Sequence, residues 1–403
     1  MSPAPRTWFD ALEARMLLSS AVIDGDVRSF VFNDGDGDQV TVTLKGPGSA
    51  TITLVGGVID RADIDSIVLA GTTGSSNLDI RVKKGRGSAA GDTTITSITG
   101  PQLGRLDGRD TSLRTVGLNL AGGVGDIRLV ELQNGADLIA GDSSGRMKLE
   151  LEGVFGVPDN DCRIVLPGGA KQVRVKGDVD AAQFDLGDDL GKMQIDGQVG
   201  DLAVAVDRDL DQLKLKKNAV GLTLDVGQRL KKFDTKSDVT GLRASVGDRI
   251  DQLQAKDLNN ARLQCDSVKK LKLKGVLRAS TLAATTQIDK MDVSGRIEDS
   301  LVLAGTALDG DLSLTSATFA VGVIRKLTVG GDVTDSVLAA GGDPGDDRLF
   351  EDNEYLPGGS IDKLTIRGDL VGTLASDHPN PGIYADELGK VKLKSRAGTA
   401  VIG

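Results

Sequence analysis

Leu190 to Asp209 reads LGKMQIDGQVGDLAVAVDRD, and Leu210 to Arg229 reads LDQLKLKKNAVGLTLDVGQR. The two segments are one phrase written twice. A leading aliphatic precedes a short alternating pair, then a Gly or Asp, then a second alternating run. With the first residue of the pair as reference, Val173, Met193, Leu213, Phe233, Leu253, Leu271 and Met291 follow one another at 20, 20, 20, 20, 18 and 20 residues. A period in this range denotes a solenoid, because one repeat cannot bury its own apolar face.

Periodicity inside each repeat selects the kind of solenoid. Val173/Val175, Met193/Ile195 and Leu213/Leu215 alternate with polar residues, as strands do. Nine residues after each reference a second alternating run begins, for example Leu202/Val204/Val206 and Leu222/Leu224/Val226. No repeat holds ten residues of helical period, and the LxxLxLxxN phrase of leucine-rich repeats is absent. The expectation is an all-β chain: a single-stranded, right-handed parallel β-helix (β-solenoid) of about 20 residues per coil. The hand follows from the usual chirality of parallel crossovers.

Composition agrees with a narrow interior. The 403 residues include 53 Gly but only 8 Phe, 2 Tyr and 1 Trp. Stacked Val, Leu, Ile and Ala fill such a core without large aromatics. The 39% apolar content excludes a mainly disordered chain. A net charge of −10 makes nucleic acid a poor partner for the whole molecule. The longest apolar run, Met16 to Ile23, is too short to be a transmembrane segment and makes a weak secretory core. Cys162 and Cys265 fall at inward positions 103 residues apart. That is about five coils, or roughly 24 Å, where a disulfide needs about 7 Å or less. They read as buried free thiols.

Going outward, three regions emerge. Residues 1–22 form an N-terminal segment, residues 23–59 a β-hairpin cap, and residues 60–403 the repeats. In the cap, VRSFVF and QVTVTL flank an acidic Gly/Asp tip, which reads as a hairpin. A second strand pair, Val40 to Leu44 and Ala50 to Leu54, is joined by Lys45-Gly46-Pro47-Gly48-Ser49. The cap is expected to cover the first coil. The repeat phase is legible at Leu106, Ile127 and Met147, then resumes at Val173 after six extra residues. Beyond Met291 the references are Leu327, Leu364 and Val391, at 36, 37 and 27 residues. Insertions therefore fall near 152–161, 305–323, 341–360 and 376–387. Insertions in solenoids emerge as loops, often on the working side.

The segment Phe9-Asp10-Ala11-Leu12-Glu13-Ala14-Arg15-Met16-Leu17-Leu18-Ser19 resembles the LEPR-XLL motif at the N-terminus of planctomycete surface and secreted proteins. It covers about eleven residues and departs at Ala14, where the motif usually has Pro. The resemblance implies an extracellular or cell-surface location. Val27 to Gly57 and DSIVLAGTT from Asp65 are also similar to the region that follows the motif in those proteins. A short amphipathic helix is the alternative reading of the same residues.

Candidate chemistry is sparse. The single histidine, His378, lies in a loop-like Asp377-His378-Pro379, and any Ser-His-Asp or Cys-His arrangement has to use it. One His and two distant Cys do not make a zinc site. Calcium is the stronger expectation. Asp343, Asp346, Asp347 and Asp352, with Glu351 and Glu354, crowd a Gly/Pro-bent insertion. At the hairpin tip Asp34, Asp36 and Asp38 copy the DxDxD opening of a calcium loop. There Gln39 replaces the Gly an EF-hand requires, and Lys45 replaces its closing Glu.

Lysines recur in phase. Lys192, Lys232, Lys270, Lys290, Lys326, Lys363 and Lys390 precede the reference residue, and Lys176, Lys216, Lys236, Lys256 and Lys274 stand three after it. Stacking gathers them on one basic face, either a solubilising surface or a grip for an anionic envelope or extracellular glycan. The leading expectation is a non-catalytic structural or adhesive protein, with self-association compatible with it. A polysaccharide-processing enzyme is the alternative, since Asp is abundant enough for paired carboxylates. Carboxylates and Lys or Arg in one groove would favour it.

Overall fold

The computed structural model describes residues 19–55, 62–85, 91–143, 147–341, 357–372 and 381–402. Every regular element among them is a β-strand. Pairings link 39 strands into one continuous sheet, and one further two-stranded ribbon stands apart. The architecture is all-β and solenoid-like.

At the N-terminal end pairing is antiparallel. Ser29–Asn33 and Gln39–Lys45 form the expected hairpin, in register from Ser29 opposite Thr43 to Asn33 opposite Gln39. The second expected pair does not form. Gln39–Lys45 pairs instead with Asn77–Lys83, and Ser49–Val55 pairs with Asp63–Ala70 and with Ser19–Ile23. Between them Gly46 and Gly48 take φ of 89° and 97°, and Cβ atoms there would meet the backbone of residues 70–76. The link is thus a corner that carries the chain to a different set of partners. Val22, still within the expected N-terminal segment, sits opposite Thr51 in this layer.

Parallel pairing begins where this layer ends. Asp63–Ala70 pairs parallel with Thr93–Gly100, and Asn77–Lys83 with Leu103–Gly108. From there each strand pairs with its equivalent one repeat later. Val173, Met193, Leu213, Phe233, Leu253, Leu271, Met291, Leu327 and Leu364 are successive register partners, ending on Val391. The expected reference at Met147 is corrected. Ile127 pairs with Leu149, and Leu149 with Val173. Met147 is buried just ahead of the strand, so its apolar character mimicked the column two residues early. The extra residues before Val173 include a tight turn in which Val157 bridges Asn160.

Seven inward columns fill the interior. They pass through Leu190, Met193, Ile195, Val199, Leu202, Val204 and Val206 and their partners, all buried. Cys162 and Cys265 are buried, unpaired members of two different columns, register-matched to Ala182 and Val246 respectively.

One corner of the repeat is a column of left-handed residues. Ala181, Asp201, Gly221, Gly241, Asn260, Ala279, Asp299 and Asp335 all have φ between 43° and 71°. Only two of the eight are glycine, although the conformation costs other residues roughly 1–2 kcal/mol. Stacked hydrogen bonds hold it: the N–H of Asn260, Ala279 and Asp299 donate to the carbonyls of Arg278, Glu298 and Thr334 in the next repeat. Just after this corner an aliphatic column turns polar. Ser280, Ser300 and Ser336 are buried. The Ser300 hydroxyl accepts the N–H of Ser280 at 3.2 Å and donates to the carbonyl of Glu298 at 2.6 Å. Ser280 and Ser336 repeat the arrangement. Each hydroxyl is thus satisfied by backbone, as burial demands.

The insertion near 305–323 folds back over the outside of the sheet. Leu301–Ala304 and Val337–Ala340 are buried on both faces. Val302, Ala304, Leu338 and Ala340 face the interior, whereas Leu301, Leu303, Val337 and Ala339 pack with Leu308, Leu312 and Tyr384 in a second, exterior cluster. The insertion is pinned at its far end, where Arg243 and Arg262 donate to the carbonyl of Asp311 at 2.7 and 3.4 Å.

Candidate metal centre and basic face

The hairpin tip follows from its composition. Gly37 takes φ 92° and donates its N–H to the Asp34 carbonyl, while the Asp34 N–H bonds the Asp38 carbonyl. Asp34 Oδ1 accepts the Asp38 N–H at 2.8 Å. This closes the five-residue tip and draws three carboxylates together. One oxygen from each of Asp34, Asp36 and Asp38 lies within 4.8 Å of the other two. Asp34 and Asp38 are buried and Asp36 is exposed.

The electrostatics are unfavourable as they stand. Burial and the neighbouring Asp36 carboxylate push the Asp34 carboxyl up to about 7 from its ordinary 3.8, against the opposing pull of the Asp38 N–H. Asp38 Oδ1 accepts the N–H of Gly85 at 2.6 Å. Its Oδ2 is shut off from solvent and has no hydrogen-bond partner among the described residues. Two further aspartates missed in the sequence, Asp63 and Asp92, line a depression together with Asp34, Gly35, Asp36, Thr93 and Thr94; Asp38 is not part of that lining. Asp63 opens one strand and Asp92 precedes another. A Cβ built on Gly35 would stand 3.3 Å from Asp63 Oδ1, so glycine there lets that carboxylate approach. The chemistry of this donor set is all oxygen and all acidic, which suits a hard cation. The other expected ligands, Asp343, Asp346, Asp347 and Asp352, lie outside the described residues, as does His378.

The lysines sort into paired and unpaired. Lys176 bonds Glu150 and Glu152, Lys216 bonds Asp196, Lys232 lies 3.6 Å from Asp234, and Lys256 reaches Asp238 and Asp257. Most of these pairs cross from one repeat to the next. Asp196 shows their effect: burial alone would raise its carboxyl, but hydrogen bonds from Lys216, Gln194 and Arg174 outweigh that and hold it at about 2. Among the described residues Lys192, Lys236 and Lys274 have no ion-pair partner. Lys214, Lys216 and Lys236 surround a shallow depression with Asp234 and Thr235.

Past Lys256 the other lysine file becomes continuous. The carbonyls of Lys270, Lys290 and Lys326 each accept from the reference residue one repeat earlier, and Lys363 is register partner to Lys390. Five lysines therefore stack in successive repeats, about 4.8 Å apart. Of the five, Lys290 has an ion pair, with Asp292.

A different depression is lined by Asp137, Asp159, Asn160, Asp161, Arg163 and Gln183. Its carboxylates and arginine share one groove. Arg163 is engaged there, with its N–H on Asp137 Oδ1 and its guanidinium 2.9 Å from Asp185.

Comparison of the chain with protein-family models, with curated proteins and with solved structures finds no match. No helix among the described residues is long and apolar enough to cross a membrane.

Proposed function

We propose that this chain is a non-catalytic structural or adhesive protein of the cell envelope or extracellular space. Its body is read as a right-handed parallel β-helix of about 20 residues per coil, closed at one end by the antiparallel cap, with calcium held at the hairpin tip. The observation that carries the reading is the succession of parallel pairings, repeat on repeat, from Ile64 to Ile402. Such a body supplies a long, regular display surface. The N-terminal resemblance to surface and secreted proteins supplies the location. Fractionation of the producing cells, with N-terminal sequencing of the mature chain, tests it. Recovery in the envelope or medium supports the proposal, and recovery in the cytoplasm overturns it.

The five-lysine file favours a second reading, adhesion to an anionic glycan. Like charges stacked in neighbouring strands repel, and a polyanion lying along the file would relieve that repulsion. The groove at Asp159 and Arg163 supports an enzyme instead. Turnover of uronic or sulfated glycans that is lost in Asp159→Asn would replace the non-catalytic reading with that one.

A further inference from the structure

We propose that one hard divalent cation, calcium by preference, is shared between the hairpin tip and the two strands behind it, with Asp63 and Asp92 completing a shell begun by Asp34, Asp36 and Asp38. This rests on reading the tip as a calcium site. It adds two ligands and a mechanical role, in which the cation fastens the cap to the first parallel strands.

Three observations carry it. First, the carboxylates arrive from three separate stretches of chain, namely the tip, the start of Asp63–Ala70 and the residue before Thr93–Gly100. Asp34, Asp36, Asp63 and Asp92 line one depression, and Asp38 joins it through a carboxylate oxygen within 4.8 Å of those of Asp34 and Asp36. Second, Asp38 is fully buried with Oδ2 unpartnered. A buried carboxylate oxygen without a donor is costly unless a cation meets it. Third, Thr93 lines the same depression, is buried, and leaves its hydroxyl unpartnered. Calcium accepts six to eight oxygens in flexible geometry, whereas magnesium holds strictly to an octahedron and keeps its waters. Five carboxylates on three loops meet the first requirement better than the second.

Fastening follows from the connectivity. Asp63–Ala70 and Thr93–Gly100 are parallel partners in the body, while Asp34 to Asp38 belong to the antiparallel cap. A cation bound by both sets can leave only if the cap separates from the body or the loops open.

The test is calorimetric titration of the full chain with calcium chloride and with magnesium chloride, paired with melting and amide exchange in calcium or in chelator. Wild type should bind calcium more tightly than magnesium, melt higher in calcium, and exchange more slowly in both Gln39–Lys45 and Thr93–Gly100. Asp38→Asn should abolish binding yet melt in chelator no lower than wild type in chelator, because it removes a buried charge. A merely structural Asp38 would instead give a variant that is weaker in chelator too, and that result counts against the site. Asp63→Asn and Asp92→Asn should each weaken calcium binding. If both bind like wild type while Asp38→Asn does not, the shared shell is wrong and the tip alone is the site. If wild type gives no heat and no shift, both readings fall, leaving the surface-protein proposal to its own fractionation test.

Discussion

The backbone N–H of Gly85 points at Asp38 Oδ1 from 2.6 Å, joining the exit of Asn77–Lys83 to the tip of a hairpin 47 residues earlier. A side chain at position 85 would run into the carbonyl of Gly37. Gly85→Ala should therefore loosen the cap, costing about 1–3 kcal/mol. Amide exchange should speed up in Ser29–Asn33 and Gln39–Lys45 and stay unchanged in Leu213–Leu215. Uniform acceleration along the chain would reject a local role.

Ala279 carries a φ of 47° in the left-handed corner column. Replacing it with glycine removes a Cβ penalty of roughly 1–2 kcal/mol and adds a backbone entropy cost of roughly 0.5–1 kcal/mol. Ala279→Gly should stabilise the chain by about 0.5–1 kcal/mol in urea unfolding. A loss of stability would show that the corner is not strained.

Ser300 satisfies two buried backbone groups at once. Ser300→Ala leaves the buried Ser280 N–H without an acceptor, while the Glu298 carbonyl keeps the N–H of Ala279, at a cost of about 1–3 kcal/mol. The unfolding midpoint should fall, and a neutral result would mean water replaces the hydroxyl.

Acid should weaken the body through Asp196, whose carboxyl is held at about 2 instead of the ordinary 3.8. A lowered folded-state value means the stabilisation is full above about 3.8 and disappears as pH falls towards about 2. Asp196→Asn should melt lower than wild type at pH 6, with the difference shrinking by pH 2. A difference that stays constant across this window would contradict the assignment.

The lysine file makes a charge-reversal prediction. A chain carrying Lys290→Glu, Lys326→Glu and Lys363→Glu should lose retention on a sulfated polysaccharide column at low salt, with its circular dichroism unchanged. Wild type that flows through the same column at low salt would end the glycan reading.

The interior was legible in the sequence because two periods coincide there. Alternation marks which side chains point inward, and the recurrence every 20 residues marks which ones stack. Met147 misled because an apolar residue just outside a strand is as hydrophobic as one inside it. The cap's pairing was hidden because strand pattern identifies a strand but not its partner. The left-handed corner was hidden because Ala181, Asp201 and Asn260 share no residue type, only a place in a stacked ladder. Asp63 and Asp92 carry no motif. Their place beside Asp34 and Asp36 comes from the return of two strands to one depression, a long-range property that local spacing does not encode.

The segment covering Leu301, Leu303, Val337 and Ala339 also reaches Arg243 and Arg262, and so lies lengthwise across several repeats. It behaves as a splint. Bending the body at that level would have to peel leucines from their seat and break two guanidinium contacts, so flexure under load should fall outside the repeats the segment covers.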